Sequence, residues 1–377
     1  MGLVLRRSRH NVRKKGGSMT GKKWTIDEAK KWFSGQPWLR GCNFYPSTAI
    51  NQLEMWQEES FDPKTIDREL GWAADLGFNV MRVYLHDMVW YADPDGFKKR
   101  IDEYLRISAK HGIKTIFVLF DDCWHDEIKL GPQPKPKPGI HNPGWLQGPG
   151  RKVLQNKDEW GRLEEYVKDI IGTYAGDARV IMWDIYNEPG NNFLVSLNLP
   201  VVVRYVLLIG KLVKHLLVAG PSRDLLVQAF GWAREANPTQ PLTAGLYFLK
   251  PSIGAKLNPL SLELSDVVSF HSYFNPEDTQ ALIDMLKPEG RPMICTEYLA
   301  RGTGNTFQAI MPLFKQDKIG AINWGLVAGK TQTMYSWEDF YPNGEEPPLW
   351  YHDVLRPDGT SYKEEEKKFI QKITKGG

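Results

Sequence analysis

The sequence predicts a single (β/α)8 barrel. Strand-like and helix-like segments alternate along most of the chain, eight strand-like runs can be counted, and several are apolar on both faces. Such runs suit parallel strands under a cover of helices. A length of 377 residues fits one barrel with long loops, or two small domains. A doubly wound open sheet is the structural alternative.

The elements follow in order. The first strand spans Leu39 to Tyr45. A helix is expected from Asp62 to Leu76, with Asp62 as cap, Pro63 in the first turn and Gly77 as stop. Asn79 to His86 is the second strand. A helix from Asp95 to His111 carries Phe97, Ile101, Tyr104, Leu105 and Ser108 on one face, and Gly112 ends it. The third strand, Ile113 to Asp121, is almost continuously apolar. Asp158 to Tyr174 is helical, and Arg179 to Glu188 is the fourth strand. A helix near Arg223 to Ala236 leads to a fifth strand, Pro241 to Tyr247. A poorly defined connection then reaches the sixth strand, Asp266 to Phe274. A helix from Pro276 to Leu286, the seventh strand from Pro292 to Glu297, a helix from Asn305 to Gln316 and the eighth strand from Ala321 to Leu326 follow. A charged helix, Tyr362 to Thr374, closes the chain.

Two insertions break the rhythm. Residues 121–155 are rich in Pro and Gly and directly follow the third strand, so they wall the active face or form a passive loop. Residues 193–220 are strongly apolar but interrupted by Pro200, Arg204, Lys211, Lys214 and His215. Membrane insertion is not expected, because a spanning helix wants about 20 mostly apolar residues. A packed helix, a lid or a self-association surface are the readings that remain.

Charge divides the chain unevenly. Of 48 Lys and Arg, eight lie in residues 1–23, which hold no acid; the other 354 residues carry 40 basic and 45 acidic side chains, a net of −5. Residues 1–23 are expected to be a basic disordered leader, and 24–377 the barrel domain. A basic tail on a mildly acidic body gives no support for a nucleic-acid enzyme. Three cysteines, Cys42, Cys123 and Cys295, are too few for a disulfide framework and are expected to be reduced. With no signal peptide visible, the sequence as written carries a cytoplasmic expectation. Walker, zinc-protease and dinucleotide motifs are missing, so neither cofactor nor metal is implied.

The chemistry concentrates at strand ends. The fourth strand finishes Trp183-Asp184-Ile185-Tyr186-Asn187-Glu188-Pro189, and Pro189, with no N–H for the ladder, stops it. The seventh finishes Cys295-Thr296-Glu297. Glycoside hydrolysis uses two carboxyl groups, and barrel enzymes carry such groups at the C-terminal ends of different strands. Strands four and seven face each other, so Glu188 and Glu297 can approach to about 5 Å, the retaining separation. Arg82, a cation inside an apolar strand, needs a carboxylate, and Glu297 is the evident partner. Asn187 can reach a sugar hydroxyl, His271 and Tyr273 end the sixth strand, and Trp324 ends the eighth and can floor a sugar site.

In combination these residues resemble clan A glycoside hydrolases, and most nearly family 5, the cellulase-like group, over about residues 38–330. The resemblance implies retaining double displacement on β-linked sugars. Glu188 matches the acid/base, which should carry a raised pKa. Glu297 matches the nucleophile, and Arg82, Asn187, His271, Tyr273 and Trp324 match sugar-site positions. One departure stands out. The family often has a histidine after strand three, where this chain reads Phe120-Asp121-Asp122-Cys123-Trp124; His86 is the expected substitute. Glu54 and Trp56 in the first active-face loop, and Trp124 in the third, complete the expected carbohydrate contacts. Glucan, mannan, xylan and galactoside linkages all remain open. A non-catalytic carbohydrate-binding barrel is the alternative, as is a barrel enzyme turning the glutamates on a non-sugar substrate.

Overall fold

A computed structural model describes residues 21–191 and 220–375. The expected self-association segment and nearly all of the basic leader fall outside these residues. Eight parallel strands form one sheet: β1 (Arg40–Asn43), β2 (Val80–Tyr84), β3 (Lys114–Asp121), β4 (Val180–Asn187), β5 (Leu242–Thr243), β6 (Val268–His271), β7 (Met293–Glu297) and β8 (Gly320–Asn323). Their order is β5-β4-β3-β2-β1-β8-β7-β6. The two end strands close the ring: Leu246 N–H donates to the Ser269 carbonyl at 3.1 Å, and His271 N–H to the Leu246 carbonyl at 2.9 Å. The chain is a (β/α)8 barrel.

Two apolar layers hold it. The larger lies between the strands and the outer helices, where Ile101, Tyr104 and Leu105 of the Pro94–Lys110 helix and Leu163, Val167 and Ile170 of the Trp160–Tyr174 helix are fully buried. The smaller fills the N-terminal end of the barrel with Val80, Ile116, Met182, Ile294 and Ile322. A helix not expected from the sequence, Ile26–Ser34, plugs that end. Thr25 and Glu28 form a capping box at its start, and Ala29 faces inward with Trp24, Trp32 and Phe33 around it. The short helix Asp87–Ala92 was also unforeseen, being under two turns long, and Gln52–Trp56 forms another short helix. The fifth strand is shorter than expected, and a two-stranded antiparallel hairpin (Phe248–Lys250 with Ile253–Gly254) follows it.

β1 is squeezed between β8 and β2, and Gly41 is the tightest point. A Cβ there would sit 1.6 Å from the Val80 carbonyl oxygen. Gly41→Ala must therefore push two paired strands apart, and a loss of about 3 kcal/mol is expected in denaturant unfolding. An unchanged midpoint would show that β1 can shift without cost.

Over the C-terminal end, the loops after β8, β1 and β3 are tied together. Between the β3 and β8 loops, Asn142 N–H donates to the Thr331 carbonyl at 2.9 Å and Gly139 N–H to Gln332 Oε1 at 3.0 Å. Between the β1 and β3 loops, Gln52 and Leu146 exchange two hydrogen bonds, at 2.8 and 3.2 Å, as do Gln57 and Gly131, at 3.0 and 2.7 Å. Lys330 joins the β8 loop to the β1 loop through the Ser47 carbonyl at 3.0 Å and Glu54 Oε1 at 2.5 Å. The Pro-rich 121–155 insertion is thus a structural wall.

Candidate active site

Strand register sets the site in one layer. Asn43 pairs with Arg82, Asp121 with Asn187, and His271 with Glu297, all at C-terminal strand ends. Glu188 follows β4 immediately and has a positive φ of 44°. That region is strained for a residue with a Cβ, and such strain persists where the surrounding structure over-determines it. Here the strand, Pro189 and the hydrogen bonds of the carboxylate hold it.

Arg82 organises the layer. It is fully buried and makes six donor–acceptor contacts: Nε and Nη2 to Asp184 at 3.0 and 2.8 Å, Nη2 to Asn187 at 2.7 Å, and Nη1 to Asn43, Tyr84 and Glu297 at 2.8, 2.6 and 2.8 Å. The expected pairing with Glu297 is present, but a second carboxylate, Asp184, takes the other edge of the guanidinium. Burial alone would lower the Arg82 pKa; Tyr84, Asp184 and Glu297 outweigh it and hold the guanidinium charged.

Glu297 is fixed through both oxygens. Oε1 accepts from Arg82 at 2.8 Å and from Tyr84 OH at 2.9 Å; Oε2 accepts from Tyr273 OH at 2.7 Å. Glu188 faces it across His271, whose Nδ1 lies 2.5 Å from Glu188 Oε1 and 3.5 Å from Glu297 Oε2. The second Glu188 oxygen accepts from the Asn191 amide and, at 3.3 Å, from the Cys123 thiol.

The electrostatics of Glu188 differ from the sequence expectation. Burial pushes its carboxyl up, but the His271 charge and hydrogen bonds from His271, Asn191 and Cys123 win, and the net direction is down. His271 moves the other way. Burial lowers it, while the Glu297 charge and the Glu188 contact raise it further. One proton is therefore held by the Glu188–His271 pair rather than by an isolated carboxylic acid.

Asp121 ends β3. Its Oδ1 accepts from Asn187 Nδ2 and Cys123 N–H, each at 2.9 Å, and its Oδ2 accepts from Trp145 Nε1 at 2.9 Å. Burial pushes its carboxyl up to about 7 despite those donors, and buried Asp353 is likewise pushed up to about 7. Unfolded aspartates titrate near 4. Between about pH 4 and 7 the folded chain thus holds more protons than the unfolded chain, so this contribution to stability is full below pH 4 and is lost as pH rises through 7. The melting temperature should fall from pH 5 to pH 8, and fall less in Asp121→Asn. Identical slopes for the two proteins would remove Asp121 as a cause.

Of the residues expected at the site, Arg82, Asn187, Glu188, His271, Tyr273 and Glu297 converge directly. Trp324 is almost fully buried beside them, packed against Tyr45, Tyr84 and Trp145. Trp124 is half-buried, next to Cys123, with its ring 5.3 Å from that of His141.

Three expectations are corrected. His86 is fully buried, accepts from Met88 N–H at 3.1 Å and bonds the Gln147 carbonyl at 2.9 Å. Both ring nitrogens are used in capping a helix and anchoring the third loop, so it replaces no sugar-site histidine. Trp56 is a core residue: it packs on Phe61, Phe97 and Tyr104, and its Nε1 donates to the Tyr84 carbonyl at 2.8 Å. Glu54 binds Lys330 with one oxygen and the Ile50 N–H with the other, at 2.7 Å, which makes it a clamp between loops.

Asn43, Tyr84, Asp184, Asp121, Cys123 and Asn191 were not foreseen. Asp184 was within reach, because the rule that made Arg82 conspicuous applies equally to a carboxylate in the apolar run 180–186. Cys42, Cys123 and Cys295 are free, as expected. Ligand atoms of Glu188, His271 and Glu297 lie within 4.8 Å of one another, a spacing a cation could use. The Arg82 guanidinium already supplies positive charge to Glu297 in that cluster. Among the described residues, no helix is long and apolar enough to cross a membrane.

A (β/α)8 barrel with paired glutamates ending its fourth and seventh strands is the architecture of barrel glycoside hydrolases. Residues 40–329 match the cellulase (glycosyl hydrolase family 5) model, and the chain belongs to that family. A probable mannan endo-1,4-beta-mannosidase A-2 of Aspergillus terreus is 24% identical over 200 residues, which cover 48% of this chain and 44% of that protein. The match therefore spans less than half of this relative. Two solved structures share the fold. The endo-1,4-beta-D-mannanase of Thermotoga petrophila RKU-1 has a TM-score of 0.54 and 15% identity, over 90% of this chain and 99% of that one. The exo-beta-1,4-mannosidase Op5Man5 of Opitutaceae bacterium strain TAV5 has a TM-score of 0.57 and 15% identity, over 90% and 59%.

Proposed function

We propose that the chain is a retaining β-glycosidase that cleaves β-linked oligo- or polysaccharides by double displacement, with Glu297 as nucleophile and Glu188 as acid and then base. The observation that carries this reading is the spacing. Carboxylate oxygens of Glu188 and Glu297 lie within 4.8 Å of each other, with His271 between. Retaining pairs stand about 5 Å apart, whereas inverting pairs need about 6.5–9.5 Å to admit a water.

The two steps follow from the contacts. A Glu297 oxygen bonds to the anomeric carbon as the bond to the leaving oxygen breaks, and Glu188 supplies the proton to that oxygen. Forming the ester removes the Glu297 charge, which is the leading cause that keeps the His271 pKa raised. As that charge is lost the His271 proton passes to Glu188, and Glu188 passes it on to the leaving oxygen in the same step, so nucleophilic attack and proton delivery are coupled. In the second step Glu188 takes a proton from water, the water oxygen bonds to the anomeric carbon, and Glu297 leaves as carboxylate. The Glu188–His271 pair regains its proton. Asn187 is oriented by Arg82 on one side and Asp121 on the other, and in this reading it donates to a sugar hydroxyl.

The A. terreus relative makes β-mannosides the first substrates to assay, followed by glucosides, xylosides and galactosides. Proton NMR of the first-formed anomer is the test. A β-glycoside should yield the β-hemiacetal before mutarotation; an α product would contradict double displacement.

A further inference from the structure

We propose that the chain removes single sugar units from the non-reducing end of its substrate instead of cutting within a chain. This rests on the glycosidase reading above and deepens it.

The direction comes from the two glutamates. The leaving group must lie beside Glu188, whose carboxyl protonates its oxygen. The partners of Glu188 are His271 at the end of β6, Asn191 just after β4 and Cys123 just after β3. In this proposal the leaving group lies over the β4–β6 half of the rim, on the His271 and Asn191 side of Glu188. A sugar with its anomeric carbon at Glu297 turns its opposite edge, the non-reducing end, toward the half formed by β8, β1, β2 and β3. In a polymer the next unit would continue from that edge.

Bonded loops close that half. At its base Trp145, from the β3 loop, is 1% exposed and lies against Trp324 and Tyr84, with ring centroids 5.7 and 5.0 Å away. Asp121 fixes its indole nitrogen. In the same loop His141 is equally buried, and its ring lies 5.2 Å from that of His352. His352 in turn packs 5.6 Å from Tyr273, the donor to Glu297. A polymer passing beyond the first sugar would have to run through this packed layer. Both glutamates are nearly enclosed, with side chains 11% and 7% exposed, which suits a pocket better than an open groove. His352 is fully buried, and its Nε2 has no hydrogen-bond partner among the described residues. A hydroxyl of a terminal sugar has the chemistry to satisfy it.

Reducing-end-labelled β-1,4-linked hexaoses of mannose, glucose, xylose and galactose test the proposal. Whichever sugar is turned over, the expected result is stepwise loss of one unit, with monosaccharide the first product and labelled pentaose preceding tetraose. Labelled di- and trisaccharides appearing together from the first time points would overturn the end-acting proposal and leave the glycosidase reading intact. No turnover of any hexaose, together with no covalent labelling of Glu297 by 2-fluoro glycosides, would overturn both. A second chain, with residues 131–139 replaced by a short Gly-Ser linker, should gain internal cleavage if its melting curve shows it folded. If that chain does not fold, the product series of the unaltered protein decides alone.

Discussion

Glu297→Ala is expected to lower kcat by roughly five orders of magnitude, which corresponds to about 7 kcal/mol of transition-state stabilisation. No other single change should cost as much activity, because no covalent intermediate can form without this carboxylate. The fold should tolerate the change less well than a surface truncation, since Arg82, Tyr84 and Tyr273 all donate to Glu297. Glu297→Gln keeps the shape and some acceptor capacity, and separates the two effects: near-native melting with the same loss of turnover is expected. Azide added to Glu297→Ala should restore turnover as the α-glycosyl azide, the small anion attacking from the face the carboxylate vacated. Activity within tenfold of the parent would remove Glu297 as nucleophile.

The second large effect is on stability. Arg82→Ala strips the counter-charge from two buried carboxylates at once, Asp184 and Glu297. Removing one partner of a buried ion pair typically costs about 3–5 kcal/mol, because the other is left charged and unpaired. A drop of that size in denaturant unfolding is expected, or a loss of soluble protein. Arg82→Lys should fall in between: an ammonium can neutralise one carboxylate but cannot present the guanidinium fork to Asp184 while reaching Glu297. An unfolding midpoint for Arg82→Ala equal to that of the parent would show that these carboxylates are protonated or solvated without it.

The barrel and its two glutamates were legible because their signals are local. An apolar run that ends in a carboxylate, repeated at β4 and β7, needs no knowledge of the rest of the chain. The partners were less legible because they depend on register. Asn43 meets Arg82 only after β1 and β2 pair with these two residues opposite each other. Loop residues were least legible. Trp56 stands among Gln and Glu residues and His86 beside Asp87, yet tertiary contacts bury both completely. The same limit hid the wall. Pro-rich residues 131–138 carry no periodic pattern, and their role follows from hydrogen bonds to loops far away in sequence. The contacts of Asp121 with Asn187 and of Cys123 with Glu188 become visible only in three dimensions.

The most direct test of the central claim is covalent trapping. Incubation with 2-deoxy-2-fluoro-β-glycosyl fluorides of the four sugar classes, followed by digestion and peptide mass mapping, should place the sugar on Glu297 with the matching class and leave Glu188 unmodified. Glu188→Gln should slow the release of that adduct, since the base for water is gone. An adduct on any other residue, or turnover of the parent glycoside with no trapped ester, would contradict a double displacement through Glu297.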